Sequence, residues 1–388
     1  MRVVKPLSHI LAGTALALAL AACSTGPRSG AQAPASPVAT SDSQSQVQRA
    51  AIARGVYEIA YSPRLDAVFV ASSGGFGKDA DASRVLRLDP ATLAVVGEIP
   101  MERKGFGLAI DDKAGRLYVG NTVDTSVTVV DLNTNQVVGL VQLMNKVKDK
   151  EGKERYSHDL RELVLDAPNN RLYVTGHSDK GSVLFVVDTR TLKVKKTIPG
   201  LGKQKAPGLV LDAAGKRVFT SNLLGEIVVI DTRTQSVKKR YKTSAEQPMN
   251  LVYDAKTDRL FATDQGAENI RQYQEKVTPG FASQNPGNRV VVFDAKTGKE
   301  IQSIETDAGP LAIKLDEQRG RLYVTNRTAG KVSVYDSTTY APLQTYALGD
   351  LPNSLALDEA RNTLFVTIKN GKDQPKDAKE SVARIALP

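Results

Sequence analysis

Leu322–Asn326 (LYVTN) reads as the end of a β-strand, and six other stretches repeat its form: Val68–Ser72 (VFVAS), Leu117–Asn121 (LYVGN), Leu172–Gly176 (LYVTG), Val218–Asn222 (VFTSN), Leu260–Asp264 (LFATD) and Leu364–Ile368 (LFVTI). Successive copies lie 42 to 62 residues apart, a period that marks the blades of a propeller. Six residues before the first position of each copy stands Ser62, Asp111, Asp166, Asp212, Asp254, Asp316 or Asp358, closing a short apolar run. A constant offset means a fixed hairpin between a first and a second strand. After six of the copies a third strand ends in Asp-x-x-Thr: Asp89 with Thr92, Asp131 with Thr134, Asp188 with Thr191, Asp231 with Thr234, Asp294 with Thr297 and Asp336 with Thr339. Asp and Thr at this offset hydrogen-bond the backbone of a tight turn, so these residues read as structural. A fourth strand leaves the turn, as in Ala94–Ile99 (AVVGEI).

The seventh unit runs out after a third strand, near Ser381–Leu387, and its fourth strand is missing. The residues before the first unit, roughly Gln46 to Ala53, have no other partner and should pair there, closing the ring and removing a long exposed sheet edge. The expected fold is therefore all-β: a seven-bladed β-propeller of four-stranded antiparallel blades over residues 46–388, closed by the N-terminal strand in the last blade. Lysines on outer strands, such as Lys193, Lys195 and Lys196 or Lys238, Lys239 and Lys242, read as edge protection rather than as a nucleic-acid stripe.

Ahead of the propeller, Arg2 and Lys5 precede an apolar run from Ile10 to Leu20 and then Leu20-Ala21-Ala22-Cys23. This is the order of a secretory signal with a small-residue cleavage site, expected over residues 1–22, and Cys23 sits where a bacterial lipobox cysteine is diacylated. Residues 23–45, rich in Ser, Ala, Pro and Gln, read as a flexible tether. The expectation is a periplasmic protein anchored by lipidated Cys23, at the outer membrane because Ser24 follows the cysteine. Cys23 is the single cysteine, so no intrachain disulfide holds the fold. Without residues 1–22 the chain has 50 basic and 42 acidic residues, a net of +8, which attracts polyanions weakly for this size.

Several chemistries are absent from the pattern. Beyond the signal the only histidines are His158 and His177, without a cysteine partner, so no zinc or copper spacing is present. There is no Gly-x-Ser-x-Gly elbow, and Gly74, Gly75 and Gly77 precede no helix that would make them a phosphate cradle. There is no tryptophan, and no cysteine beyond Cys23, to build or hold a quinone, and no cofactor is expected.

The turns after strands one and three share one propeller face, leaving the strand two-to-three loops and the blade crossings on the other. Two long segments lie on that variable face: 145–159, with Lys146, Lys148, Lys150, Lys153, Arg155 and His158, and 265–288, with Arg271, Tyr273, Lys276 and Phe281. Insertions confined to one face of a repeat protein mark its binding side, and the basic residues are candidate contacts for a polyanion. Counting four residues back from each turn acid or Ser62 gives a ring at the channel mouth: Glu58, Gly107, Glu162, Gly208, Asn250, Ala312 and Ser354, with Asn353 beside the last. Carboxylates on otherwise apolar strands need partners, and Arg161 is the neighbour in sequence. One reading pairs them with Arg161 and channel water; the other makes Glu58, Arg161, Glu162, Asn250, Asn353 and Ser354 a site for a small cationic or polar ligand or a hard metal ion.

The repeat resembles the one that defines YVTN propellers, and the likeness extends to Tyr57–Ser62 (YEIAYS), Arg84–Leu93 (RVLRLDPATL), Gly330–Asp336 (GKVSVYD), Pro352–Leu357 (PNSLAL) and Arg384–Leu387 (RIAL). Together these resemble YncE-type periplasmic propellers over nearly all of residues 50–388. The resemblance implies a binding propeller without established catalysis, associated with single-stranded DNA binding and iron-dependent expression. The chain departs from it in its lipobox-like start and in having no tryptophan, so base stacking would fall to Phe and Tyr. Two functions follow as expectations. The first is a non-enzymatic, monomeric envelope binding or scaffold propeller, presenting its variable face to single-stranded DNA, another anionic polymer, an envelope protein or a small ligand. The alternative is a metal-assisted hydrolase of the propeller lactonase type, with Glu58, Glu162 and Asn250 holding a divalent ion.

Overall fold

The computed structural model describes residues 46 to 388. The signal-peptide, Cys23 and tether readings lie outside those residues. Seven four-stranded antiparallel sheets form the blades of a propeller. In the first blade the strands run from the channel outward as Val56–Ser62, Ala67–Ser72, Arg84–Leu88 and Val95–Pro100. Every innermost strand ends on its expected residue, at Ser62, Asp111, Asp166, Asp212, Asp254, Asp316 and Asp358.

The last blade is built from both ends of the described chain. Leu351–Asp358, Thr363–Lys369 and Glu380–Ala386 are followed outward by Val47–Ala53, with Val47 opposite Ile385 and Ala51 opposite Ser381. The expected ring closure is therefore present.

The aromatic residue of the repeat explains how the blades hold together. Phe69, Tyr118, Tyr173, Phe219, Phe261, Tyr323 and Phe365 are all buried at 1% exposure or less. Phe69 packs among Ala67, Val85 and Ile99 of its own blade and Leu108, Leu117 and Val130 of the next. Phe365 does the same across the closure, against Ile52, Val56 and Val70. The core is thus a series of layers between blades, each holding the aromatic side chain of one repeat copy.

The Asp-x-x-Thr turns act as expected. Asp294 Oδ1 accepts the amides of Lys296 (3.1 Å) and Thr297 (2.7 Å) and the Thr297 hydroxyl (2.7 Å). The residue after each threonine is left-handed, and five of the six, Leu93, Asn135, Leu192, Gln235 and Tyr340, are not glycine. A left-handed side-chain-bearing residue is strained by roughly 1–2 kcal/mol, and the aspartate's fixed amide bonds are what hold it there. The lysines at 193, 195 and 196 and at 238, 239 and 242 are exposed on outermost strands.

The two long segments carry more structure than loops. Within 145–159, Val147–Lys148 pairs with Glu154–Arg155 as a hairpin. Within 265–288 lies an α-helix, Glu268–Val277. Among the described residues no helix is long and apolar enough to cross a membrane.

Candidate functional site

The threonine of the repeat builds the channel mouth. In the third blade Leu160 pairs with Gly176 and Leu163 with Val174, so Arg161 and Glu162 together face Thr175 alone. This is a β-bulge, which bends its strand and re-aims side chains. The same two-against-one register sets Tyr57 and Glu58 against Ala71, Met249 and Asn250 against Thr263, Leu311 and Ala312 against Thr325, and Asn353 and Ser354 against Thr367. Each threonine hydroxyl accepts the amide of the second bulge residue: Glu162 at 3.2 Å, Asn250 at 3.1 Å, Ala312 at 2.8 Å and Ser354 at 3.0 Å. Two of them also donate across the blade boundary, Thr263 to the Leu311 carbonyl at 2.9 Å and Thr367 to the Tyr57 carbonyl at 2.7 Å.

The bulges bring consecutive residues into one network. Arg161 Nη2 donates to Asn250 Oδ1 at 2.8 Å, and Asn250 Nδ2 donates to Glu162 Oε1 at 3.1 Å. Arg161 Nε lies 3.5 Å from the same Glu162 oxygen. On the other side of the ring the Ser354 hydroxyl donates to Glu58. Glycine at ring position 107 follows from close approach, since a Cβ there would lie 2.3 Å from the Arg161 carbonyl oxygen.

Electrostatics then decide what the mouth attracts. Burial, and secondarily the Glu162 charge, push the Glu58 carboxyl up to about 8, against the pull of Ser354 and Arg161. Burial raises Glu162 as well, opposed first by Arg161. Both side chains keep partial contact with the channel, but in a narrow pore few waters replace the solvation lost to surrounding protein.

Three groups absent from the sequence expectation complete the mouth. Arg327 Nη1 donates to Asn353 Oδ1 at 2.7 Å. Lys369 Nζ sits 3.8 Å from the centre of the Tyr57 ring and donates at 2.8 Å to Glu380, which also accepts the Val56 amide at 2.7 Å. Tyr57 stacks on Phe106 with ring centres 3.7 Å apart. Arg327 and Lys369 share a signal with His177: each is the residue directly after a repeat copy, where the second strand leaves for the variable face.

The expected site residues therefore meet in two groups, Arg161, Glu162 and Asn250, and Glu58 with Ser354, while Asn353 reaches Arg327. The arrangement does not suit the metal-ion reading. Arg161 already bonds Asn250 and lies beside Glu162, and a carboxyl that holds its proton is a poor ligand for a hard cation. Among the described residues no group of three or more His, Cys, Asp or Glu is placed to hold a metal ion.

Of the polyanion candidates, Lys146, Lys148, Lys150, Lys153 and Arg155 are exposed on or beside the hairpin, with Arg155 paired to Asp149. Lys276 is exposed at the end of the helix. Arg271 is turned inward, bonding Ser283 and the Asn285 carbonyl and lying 4.0 Å from Glu246. It organises its own loop.

The fold and this site define the chain as a seven-bladed YVTN-type propeller. It belongs to the YncE family: the YncE protein of Salmonella typhimurium (strain LT2) is 33% identical over 287 residues, 73% of this chain and 74% of that one. That of Escherichia coli (strain K12) is 35% identical over 229 residues, 58% of this chain and 63% of its own. A chain of Kuenenia stuttgartiensis hydrazine synthase has the same architecture, with a TM-score of 0.64 at 17% identity, over 81% of this chain and 93% of that one. No family model matches the chain.

Proposed function

We propose that this protein is a non-enzymatic binding propeller of the cell envelope, tethered through lipidated Cys23, that takes anionic ligands at the channel mouth of its variable face. The observation that carries this reading is the convergence of Arg161, Arg327 and Lys369 beside two carboxyl groups that burial drives toward their neutral forms. Of the three cations only Lys369 is offset by a partner outside the ring, Glu380. A mouth so built favours an anion over the cationic or metal ligand that its carboxylates alone suggest. A single-stranded nucleic acid fits the wider face. Its phosphates would meet Lys146, Lys148, Lys150 and Lys153, and its bases the Tyr57–Phe106 stack and Phe76, which is 53% exposed.

The test is binding of a labelled single-stranded oligonucleotide by anisotropy across a salt series. The logarithm of the binding constant should fall linearly with the logarithm of salt concentration. Lys146→Ala, Lys148→Ala and Lys150→Ala together should flatten that slope. Arg327→Gln with Lys369→Gln should weaken binding at least about tenfold, or roughly 1.4 kcal/mol. No salt-sensitive binding at low ionic strength would overturn the polymer reading.

A further inference from the structure

Beside the channel mouth a cavity of about 360 Å³ opens on the variable face, walled on one side by the helix Glu268–Val277. Its two halves differ in chemistry. One half is apolar, formed by Phe106, Pro207, Leu223, Met249 and Ile270. Leu223 and Met249 belong with Leu311 to a small cluster apart from the layers between blades, and the helix lays Ile270 and Tyr273 against it. The inserted helix therefore covers apolar surface that the blades leave over.

The other half is cationic. Arg161 and Lys205 both line it, with Asp159 as the one acid among the lining residues. Lys205 Nζ lies 5.2 Å from the centre of the Tyr273 ring, and the Tyr273 hydroxyl donates to Asp179. His177 Nδ1 is buried without a hydrogen-bond partner, and Arg161 Nε, also buried, makes no hydrogen bond but lies 3.5 Å from Glu162 Oε1. Burial, reinforced by Arg161 and Lys205, holds the His177 ring down to about 3, so it stays neutral and adds no charge. Two fixed cations and a neutral ring nitrogen thus face an oily floor, in a volume at the small end of the range for organic ligands.

We infer that this cavity binds a small organic carboxylate with an apolar body, the carboxylate meeting Arg161 and Lys205 and the body lying on Leu223, Met249 and Ile270. The inference rests on the anion preference proposed above but concerns a different occupant from a polymer, and it gives the helix insertion a purpose. An Arg161 already held by Asn250 and beside Glu162 is positioned at the cavity without reorganising. A carboxylate is preferred to an isosteric amide because only the charged group makes charge-assisted bonds to both cations.

The experiment uses the full chain, with phenylacetate as the probe and phenylacetamide as its uncharged control. Calorimetry reads affinity, and methyl resonances of Ile270 and Met249 report location. Phenylacetate should saturate one site and bind at least about tenfold more tightly than phenylacetamide, a difference of roughly 1.4 kcal/mol. Both methyl signals should shift. Arg161→Gln should lower phenylacetate affinity by at least about tenfold. Ile270→Trp, which fills the floor, should abolish phenylacetate binding and leave oligonucleotide binding intact. Equal binding of acid and amide, no saturation up to about 10 mM, or shifts that spare both methyls would overturn the inference. Loss of oligonucleotide binding with phenylacetate binding retained would instead count against the polymer reading alone.

Discussion

One substitution, made at two copies of the same repeat, should act with opposite signs. Thr367→Val removes a hydroxyl that accepts the Ser354 amide at 3.0 Å and donates to the Tyr57 carbonyl at 2.7 Å, across the boundary between the last blade and the first. Both groups are left unpaired, at about 1–3 kcal/mol each, and the added methyl offsets part of that. The expected net cost is about 2–4 kcal/mol. Thr220→Val acts where the other copies carry Val or Ala, on a hydroxyl that is fully buried and has no partner. Removing it should stabilise by about 1 kcal/mol. With an unfolding entropy of roughly 2 cal/mol/K per residue over about 340 residues, these become a fall in Tm of about 3–6 °C and a rise of about 1–2 °C. The assay is calorimetric melting of both variants beside the native chain, with urea midpoints as a second measure. A Thr367→Val within about 1 °C of native would refute the assignment of the repeat threonine as a bulge clamp, and a destabilised Thr220→Val would refute the unpaired state of that hydroxyl.

Three further outcomes are expected. Glu58 is held at about 8 when folded against an ordinary 4.5, so the folded state binds the extra proton and stability falls as pH rises through that window; Glu58→Gln should flatten the loss in pH-dependent melts, and anion binding to the native chain should weaken above pH 8 as the carboxyl ionises. The Thr234 amide, with Arg233, holds Asp231 down to about 2, and the corresponding turn acids at Asp89, Asp131, Asp188, Asp294 and Asp336 are lowered too. Their contribution is present above the ordinary aspartate range and lost as pH falls toward 2, so Asp231→Asn should shallow the acid limb of a circular-dichroism titration. Deleting residues 47–53 exposes the outer edge of Glu380–Ala386, and sedimentation should show self-association with a lower melting temperature; an unchanged monomer would contradict the closure.

The architecture was legible because a propeller writes its period into the chain. The turn acids, the buried aromatic and the ring-closing strand all stand at fixed offsets, so counting from Asp358 to Ser354 or from Asp166 to Glu162 reaches the channel. What counting missed is what crosses between blades. Arg327 and Lys369 belong to second strands, one position past the repeat, and only the ring's curvature carries them to Asn353 and Tyr57. Burial, which sequence does not display, reverses the reading of Glu58 and Glu162, because it decides whether a carboxyl is an anion. The helix was within reach: Ile270, Tyr273, Gln274 and Val277 follow a helical period, and Ile270 and Tyr273 are the ones that meet the apolar cluster. Turn chemistry was read correctly since it depends on local sequence alone, and the lysines at 193, 195 and 196 and at 238, 239 and 242 stand exposed on outermost strands.

Pairing Val47 with Ile385 joins residues separated by nearly the whole described chain. Loop-closure entropy makes such contacts slow to form. The strand Val47–Ala53 has no partner until Glu380–Ala386 is made. Six blades can assemble in order from the N-terminal side, but the ring cannot shut before Glu380–Ala386 has been made. The final folding event is therefore a meeting of the two ends, latched by Glu380 on the Val56 amide. A chain ending before Glu380 should leave Val47–Ala53 unmatched, and until Glu380–Ala386 is in place that strand is open to pairing elsewhere.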